Sequence, residues 1–543
     1  MATDPPGHLF VIKGDLTTLD ADAVLVPTDR SVAIEDPWGA LTDGVGDPSF
    51  TWVDDERVAL LGATADEGPD VWLADVGGVD ARGPEWYLAP VDEFVARATA
   101  RLRAFGRRAR VRHGLPPRLA VPVVGTRHGG SAHRQGPLFA LLVERLHAAA
   151  GEHGCDVVLV TYTDKAFAAA QRARQKLQPS ADARPEPAGK GTDWWPSLTP
   201  AQRDTAARLA RRNWHGELVL FIGAGASMSA GLPSWQGLLD TLCERANALG
   251  AAGTPLDGDR LRRLDLRDQA AIIRRAFPSD ADYARALAEA LSSARYSLVH
   301  GLLASLDVHE AITTNYDNLY EQACRTDRRD LAVLPYDVAR PHTAWLLKLH
   351  GSVQDPLGMV VTRDDYLGLP ERAGALYGIL QAMLLTEHLL FVGYSLSDEP
   401  FHRVMHEVRR AMPEAHYRAL ADGTEKAGTV LVLEDDDLLA RLWSDDLSIA
   451  AMGPVTGPDD RGGLAARGRQ LEIFLDLLAY ESADVAHFIL DPDYRDLLDP
   501  DEQVLADRLA AAGAQAHAMD TPVARRIREL MATSLGWGEP ERP

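Results

Sequence analysis

The chain has 543 residues, 46% apolar and 25% charged, the balance of a folded protein long enough for two or three domains. Its net charge of −23 argues against duplex DNA as a partner, since phosphate binding needs clustered cations. Its three cysteines, Cys155, Cys243 and Cys324, lie too far apart for a disulfide framework or a four-thiolate metal site within one chain, which fits a reducing cytoplasm.

In chain order, Met1 to His8 is polar and proline-rich, not a signal peptide. No later apolar run approaches the ~18–20 residues that span a bilayer, so a cytoplasmic protein without a membrane segment is expected. Leu9-Phe-Val-Ile-Lys-Gly-Asp-Leu-Thr-Thr-Leu-Asp-Ala-Asp-Ala-Val-Leu-Val26 reads as a strand, a turn and a second strand. The basic run from Arg101 to His113 reads as a solvated helix face or loop, with a nucleic-acid patch as the alternative. Ala120-Val-Pro-Val-Val-Gly-Thr-Arg-His-Gly-Gly130 is a strand running into a glycine loop. A helix over 138–150 and a strand over 157–161 follow. This pattern resembles the macro domain over most of residues 8–178.

The resemblance implies a three-layer α/β domain over 1–178 that binds ADP-ribose or a related nucleotide. Asp15 would hydrogen-bond the adenine amine, and Gly125, Thr126 and Gly129 would offer backbone donors to a diphosphate. Val26-Pro-Thr-Asp29 stands where macro hydrolases carry an Asn-rich signature, which argues against de-ADP-ribosylation. Arg127 and His128 either replace lost donors or block the pocket, and a purely structural macro fold is the alternative.

Residues 179–200 have linker composition, and Trp194 and Trp195 near their end are expected to dock onto the domain that follows. From 201 to 455, apolar runs at 218–222, 311–314, 346–349, 359–361, 389–392 and 430–433 alternate with longer amphipathic segments. That alternation predicts a Rossmann-like open parallel sheet covered on both faces, with ligands at the carboxyl ends of its strands. Residues 456–543 read as a helical extension, which suggests self-association into a homo-oligomer, with ordinary surface helices as the alternative.

Each of the chemically informative strings follows a predicted strand. Gly223-Ala-Gly225 precedes a helix over 235–249 with Ser234 as its N-cap and Gly250 closing it. Glycines there either let backbone N–H groups approach a pyrophosphate or only turn a strand into a helix. Met228 stands where the third glycine of G-x-G-x-x-G belongs. Thr314-Asn-Tyr-Asp317 precedes a helix over 319–325, so Asp317 is either a cap or a functional group. In Lys348-Leu-His-Gly-Ser352, His350 beside a glycine suits a general base titrating near neutrality. Gly393-Tyr-Ser-Leu-Ser-Asp398 follows the next strand. Glu434-Asp-Asp-Asp437 either approaches an adenosine or is a solvated loop.

The ordered set resembles the sirtuin superfamily, whose Gly-Ala-Gly-x-Ser loop leading to Gly-x-Pro is matched by Gly223, Ala224, Gly225, Ser227, Gly231 and Pro233. Trp235 stands in place of the aromatic residue usual two positions after that proline in deacylases. The resemblance implies that these residues bind NAD, and that Gly393, Ser395 and Leu396 contact its ribose and phosphate. Asn315 would position the nicotinamide ribose or an attacking water, Asp317 would help hold the site or the cofactor, and His350 would be the general base. Thr314, where most sirtuin deacylases carry glutamine, and Thr362-Arg-Asp-Asp-Tyr366 fit the divergent NAD-consuming branch.

No cysteine follows Cys324, so the four-cysteine zinc module of protein deacylases cannot exist in thiolate form, and neither zinc nor another metal is expected. The implied activity is hydrolysis of NAD, the substrate, to ADP-ribose and nicotinamide, in a bacterial role that depletes NAD during phage infection. The alternatives are a protein ADP-ribosyltransferase or deacylase, and a non-catalytic NAD or ADP-ribose sensor.

Overall fold

The computed structural model describes residues 6–34, 36–46, 50–63, 68–77, 83–105, 114–125, 135–178, 193–250, 253–326, 330–412, 426–455 and 461–537. They form two compact units, one of Met1–Leu198, Thr326–Arg328 and Ala479–Pro543, the other of Thr199–Arg325 and Arg329–Leu478.

In the first unit, strands β1 (Leu9–Lys13), β2 (Ala23–Thr28), β3 (Val58–Ala63), β4 (Asp70–Asp75), β5 (Arg118–Pro122) and β6 (Asp156–Thr161) form one sheet. Their order is β1-β6-β5-β2-β4-β3, with every pair parallel except β3 and β4. Helices Pro84–Phe105, Gln135–His153 and Asp164–Leu177 connect or follow the strands. Trp194 and Trp195 are buried in this unit. The Arg174 guanidinium lies 5.2 Å from both rings, the His147 ring lies tilted against Trp194 at 4.4 Å, and the Tyr480 ring lies tilted against Trp195 at 4.7 Å. A guanidinium over two indoles is a favourable cation–π arrangement. The helices Pro500–His517 and Pro522–Ser534 belong to this unit, and Arg172 pairs with Asp499 and Glu502 at 2.9 and 2.6 Å.

The second unit holds a seven-stranded, wholly parallel sheet. Its strands are β7 (Leu218–Ile222), β8 (Glu310–Thr313), β9 (Leu331–Leu334), β10 (Ala344–Lys348), β11 (His388–Val392), β12 (Gly428–Glu434) and β13 (Leu447–Gly453). The order is β13-β12-β11-β7-β8-β10-β9. From β7 the chain first builds toward β8 and β10, then crosses back to lay β11 on the other side. The order therefore reverses between β7 and β11, and such a reversal opens a crevice beyond the strand ends. Both strands are buried along their whole length, as their unbroken apolar runs require.

One face of this sheet carries an aromatic core. Phe221, Phe391, Tyr394 and Phe401 lie with ring centroids 4.6–6.0 Å apart, and Trp443 follows at 5.8 Å from Phe401. A separate helical core gathers Leu238, Leu239, Leu242, Ile273 and Leu287, with Met359 and Val361. The run 359–361, expected as a strand, is thus a buried extended segment outside the ladder. Met359 and Val361 serve the helical core while Val360 packs with Leu369 and Ala373, and period alone does not separate that from strand burial.

Candidate functional site

Gly223 follows β7 and Gly393 follows β11, and the two loops touch through backbone. A Cβ on Gly223 would lie 2.5 Å from the Gly393 carbonyl oxygen, and one on Gly393 would lie 2.3 Å from Ala226 N. Gly223 N donates to Val392 O at 2.9 Å, and Gly225 N donates to Gly393 O at 2.8 Å. These two N–H groups are thus spent on joining the loops, which differs from the expectation that they face a pyrophosphate. Close approach of two backbones is what demands glycine here.

The loop enters a five-residue helix, Ala224–Met228, before Ser234 caps the helix Trp235–Leu249, which Gly250 ends in the left-handed conformation. Ala224 and Gly225 are exposed, while Ser227 is buried. Pro233 and Trp235 are half-buried, and the Trp235 ring lies 6.5 Å from that of Tyr316. Ser395 is exposed, with its hydroxyl 2.6 Å from that of Ser397. Leu396 is buried in the core at φ 57°.

Thr313 of β8 pairs with Lys348 of β10, and Leu349 N donating to Thr313 O extends the ladder. Asn315 and His350, each two residues further on, therefore leave neighbouring strands at the same level. The Asn315 amide Nδ2 donates to Gly223 O and to Ser227 Oγ, both at 3.0 Å. Ser227 Oγ in turn donates to Asp317 Oδ2 at 2.8 Å, and Asp317 Oδ1 accepts from Leu319 N at 3.1 Å. Asp317 ends this chain of hydrogen bonds and is tied to the start of the next helix by Leu319 N, while the N-cap position itself is Asn318. A carbonyl only accepts, so the Gly223 contact fixes which end of the Asn315 amide faces it. Asn315 Oδ1 is left buried with no hydrogen-bond partner among the described residues.

His350 is 3% exposed. Its Nε2 sits 3.1 Å from the Tyr377 hydroxyl and 3.6 Å from Asp398 Oδ2, and its ring packs edge-on against Tyr366. Burial pushes its pKa down to about 4, below the near-neutral range that its place in the motif suggests. Burial also pushes the Asp398 carboxyl up to about 6, and Tyr394 OH donates to it at 3.4 Å. Both shifts favour the uncharged form of the group concerned. Asp398 lies inside the quoted glycine loop and was within reach of sequence reasoning. Tyr377, in the mostly apolar helix Leu369–Thr386, carries no sequence signal.

Beneath the Gly223 loop, Ser229 Oγ, Ser297 Oγ and His300 Nδ1 form a polar contact chain of 2.7 and 2.9 Å. Asp436 caps the helix Asp437–Leu442, and Glu434 pairs with Arg467 at 2.6 Å. In the first unit, the Asp15 carboxylate accepts from Thr17 N and Oγ1 at 2.9 and 2.7 Å, and Gly125, at φ 77°, lies against the Tyr87 ring. Thr126, Arg127, His128 and Gly129 lie outside the described residues, as does most of the basic run ending at His113. Among the described residues, no cluster of three or more His, Cys, Asp or Glu could hold a metal ion, and no helix is long and apolar enough to cross a membrane.

Residues 309–445, which carry Asn315, His350 and Gly393, match the SIR2-like domain family. Among individual proteins, the NAD(+) hydrolase ThsA of Enterococcus faecium is 28% identical over 211 residues, 37% of this chain and 41% of that protein. The NAD(+) hydrolase ThsA of Bacillus cereus (strain MSX-D12) is 28% identical over 200 residues, 35% of this chain and 40% of its own. Defense-associated sirtuin 2 of Bacillus subtilis is 24% identical over 217 residues, 38% of this chain and 20% of that protein. The chain thus spans about two fifths of the hydrolases it resembles and less of the third relative.

Proposed function

We propose that the second unit hydrolyses NAD to ADP-ribose and nicotinamide, and that the protein acts in defence against phage by depleting NAD. The observation that carries this reading is the buried, unpartnered Asn315 Oδ1, set level with a neutral His350 at a crevice closed by two glycine loops. A buried acceptor without a donor is costly, about 1–3 kcal/mol, and a ribose hydroxyl or a water would relieve that cost. In the reaction the C1′–nitrogen bond breaks and nicotinamide leaves with the electron pair. Water then adds to the oxocarbenium carbon, and its proton passes to the solvent by way of His350. Asn315 orients the hydroxyl or the water, and the polar groups around it stabilise the developing positive charge. The two relatives named NAD(+) hydrolase and the one named for defence support the reading.

Gly223, Ala224, Gly225, Ser227, Pro233 and Trp235, with Gly393, Ser395 and Leu396, would shape the NAD site. Glycines 223 and 225 would do so by holding the loops together. In this reading no zinc takes part, the protein works in the cytoplasm, and it assembles as a homo-oligomer. The first unit, macro-like in its opening strand and turn, would bind an ADP-ribose-type ligand through Asp15, Gly125, Thr126 and Gly129. Incubation with NAD labelled in its adenosine half tests the reaction. Hydrolysis leaves the label in free ADP-ribose, transfer leaves it on protein, and a sensor leaves NAD intact.

A further inference from the structure

Lys348 ends β10, two residues before His350, and its side chain is fully buried. Its Nζ lies 2.8 Å from Glu321 Oε1 and donates to the carbonyls of Asp317 and, at 3.4 Å, Tyr316. Those two carbonyls follow Asn315 directly. Glu321 sits on the next short helix, Leu319–Ala323, where burial raises its carboxyl pKa against the opposing effect of Lys348.

A buried ion pair seldom repays its own desolvation, and an apolar pair of the same volume packs as well or better. What an ammonium supplies that a methionine does not is N–H donors for the carbonyls. From β10, only this side chain among the described contacts reaches the backbone of the turn that presents Asn315. Resting on the reading of the site as NAD-cleaving, we propose that Lys348 is a positioning residue for Asn315. It pins the Asn315–Asp317 turn to the strand that carries His350, so that the two reacting groups keep a fixed separation.

The test compares Lys348→Met, Lys348→Met/Glu321→Met and Glu321→Gln for thermal midpoint, kcat and KM of nicotinamide release. Lys348→Met alone strands a buried carboxylate and destabilises the fold. The double variant removes both charges and recovers a thermal midpoint near that of the wild type. Its kcat stays about 10²-fold down, as for a group misplaced by about an ångström, while KM holds because the glycine loops are untouched. Glu321→Gln keeps the carbonyl donors and retains kcat. A double variant with wild-type kcat overturns the proposal, as does Glu321→Gln losing as much kcat as Lys348→Met. Should the double variant fail to fold, Glu321→Gln decides alone. A folded wild type that releases no nicotinamide removes the reading of the site and this inference with it. An active wild type with a fully active double variant removes only the role of Lys348.

Discussion

Replacing Gly393 by alanine isolates the junction of the two loops. The residue sits at φ 68°, where an L-residue with a Cβ loses roughly 1–2 kcal/mol. The added Cβ would also meet Ala226 N at 2.3 Å and the Gly225 carbonyl carbon at 2.8 Å, both backbone atoms that no rotamer change can move aside. Overpacking of this kind costs about 1–3 kcal/mol. Together they give about 2–5 kcal/mol, or on the order of 10 °C in the thermal midpoint of a unit this size. Relief requires the loops to part, which breaks the Gly225 N to Gly393 O bond and widens the crevice, so nicotinamide release should fall about 10-fold or more. Gly374→Ala is the control, since Gly374 lies in the helix Leu369–Thr386 with nothing within 4 Å of the added carbon, and alanine there gains roughly 0.5–1 kcal/mol. Thermal unfolding followed by circular dichroism, with chromatographic measurement of nicotinamide, reads both effects. A Gly393→Ala protein with wild-type midpoint and activity would refute the reasoning.

Ser227→Ala removes the link between Asn315 and Asp317 and leaves Asp317 Oδ2 without its hydroxyl donor, so stability should fall by about 1–3 kcal/mol and kcat should fall with it. An unchanged urea midpoint would show that the chain carries no energy. Tyr377→Phe deletes the hydroxyl 3.1 Å from His350 Nε2 and should lower kcat about fivefold, the equivalent of one hydrogen bond of about 1 kcal/mol, with the fold intact. Equal kcat in the two proteins would separate Tyr377 from the reaction. Burial holds His147, His300, His350 and His388 at about 4, while the unfolded chain binds these protons near pH 6.5. Their contribution is therefore fully present above pH 6.5 and is lost as pH falls toward 4. For the two most deeply buried, His300 and His350, it is on the order of 3 kcal/mol each. Asp398, raised to about 6, works in the opposite sense over the same window and offsets part of the loss. Urea midpoints at pH 7.5 and pH 5 should differ accordingly, and equal midpoints would contradict the buried neutral imidazoles.

Local signals made the helix Trp235–Leu249 legible in the sequence, since Ser234 accepts from Gly237 N and Gly250 is left-handed, as cap chemistry requires. Strands β7, β8, β10, β11 and β12 were readable as apolar runs, within a residue or two at each end. Strands β9 and β13, at the two edges of the sheet, were not. Leu331–Leu334 is a four-residue run beside charged neighbours, and Leu447–Gly453 is rich in small residues. The placement of β11 against β7 is non-local, and no periodicity encodes it, yet it is what brings Gly393 onto Gly223. In the site, the strings at 223–225, 314–317 and 348–352 announced their residues by order along the chain. The partners of His350 did not, because Tyr377 is one aromatic in an apolar helix and meets the imidazole only through tertiary packing. Burial also decides the basicity of His350, and burial is a property of the fold and not of the motif.

The most direct test of the central claim is nicotinamide release from NAD by the wild-type chain beside Asn315→Ala and His350→Ala, with folding of all three checked by circular dichroism. Release by the wild type, and its loss by about 10²-fold or more in both folded variants, is the predicted result. Wild-type rates in either variant, or a folded wild-type protein that leaves NAD intact, would contradict it.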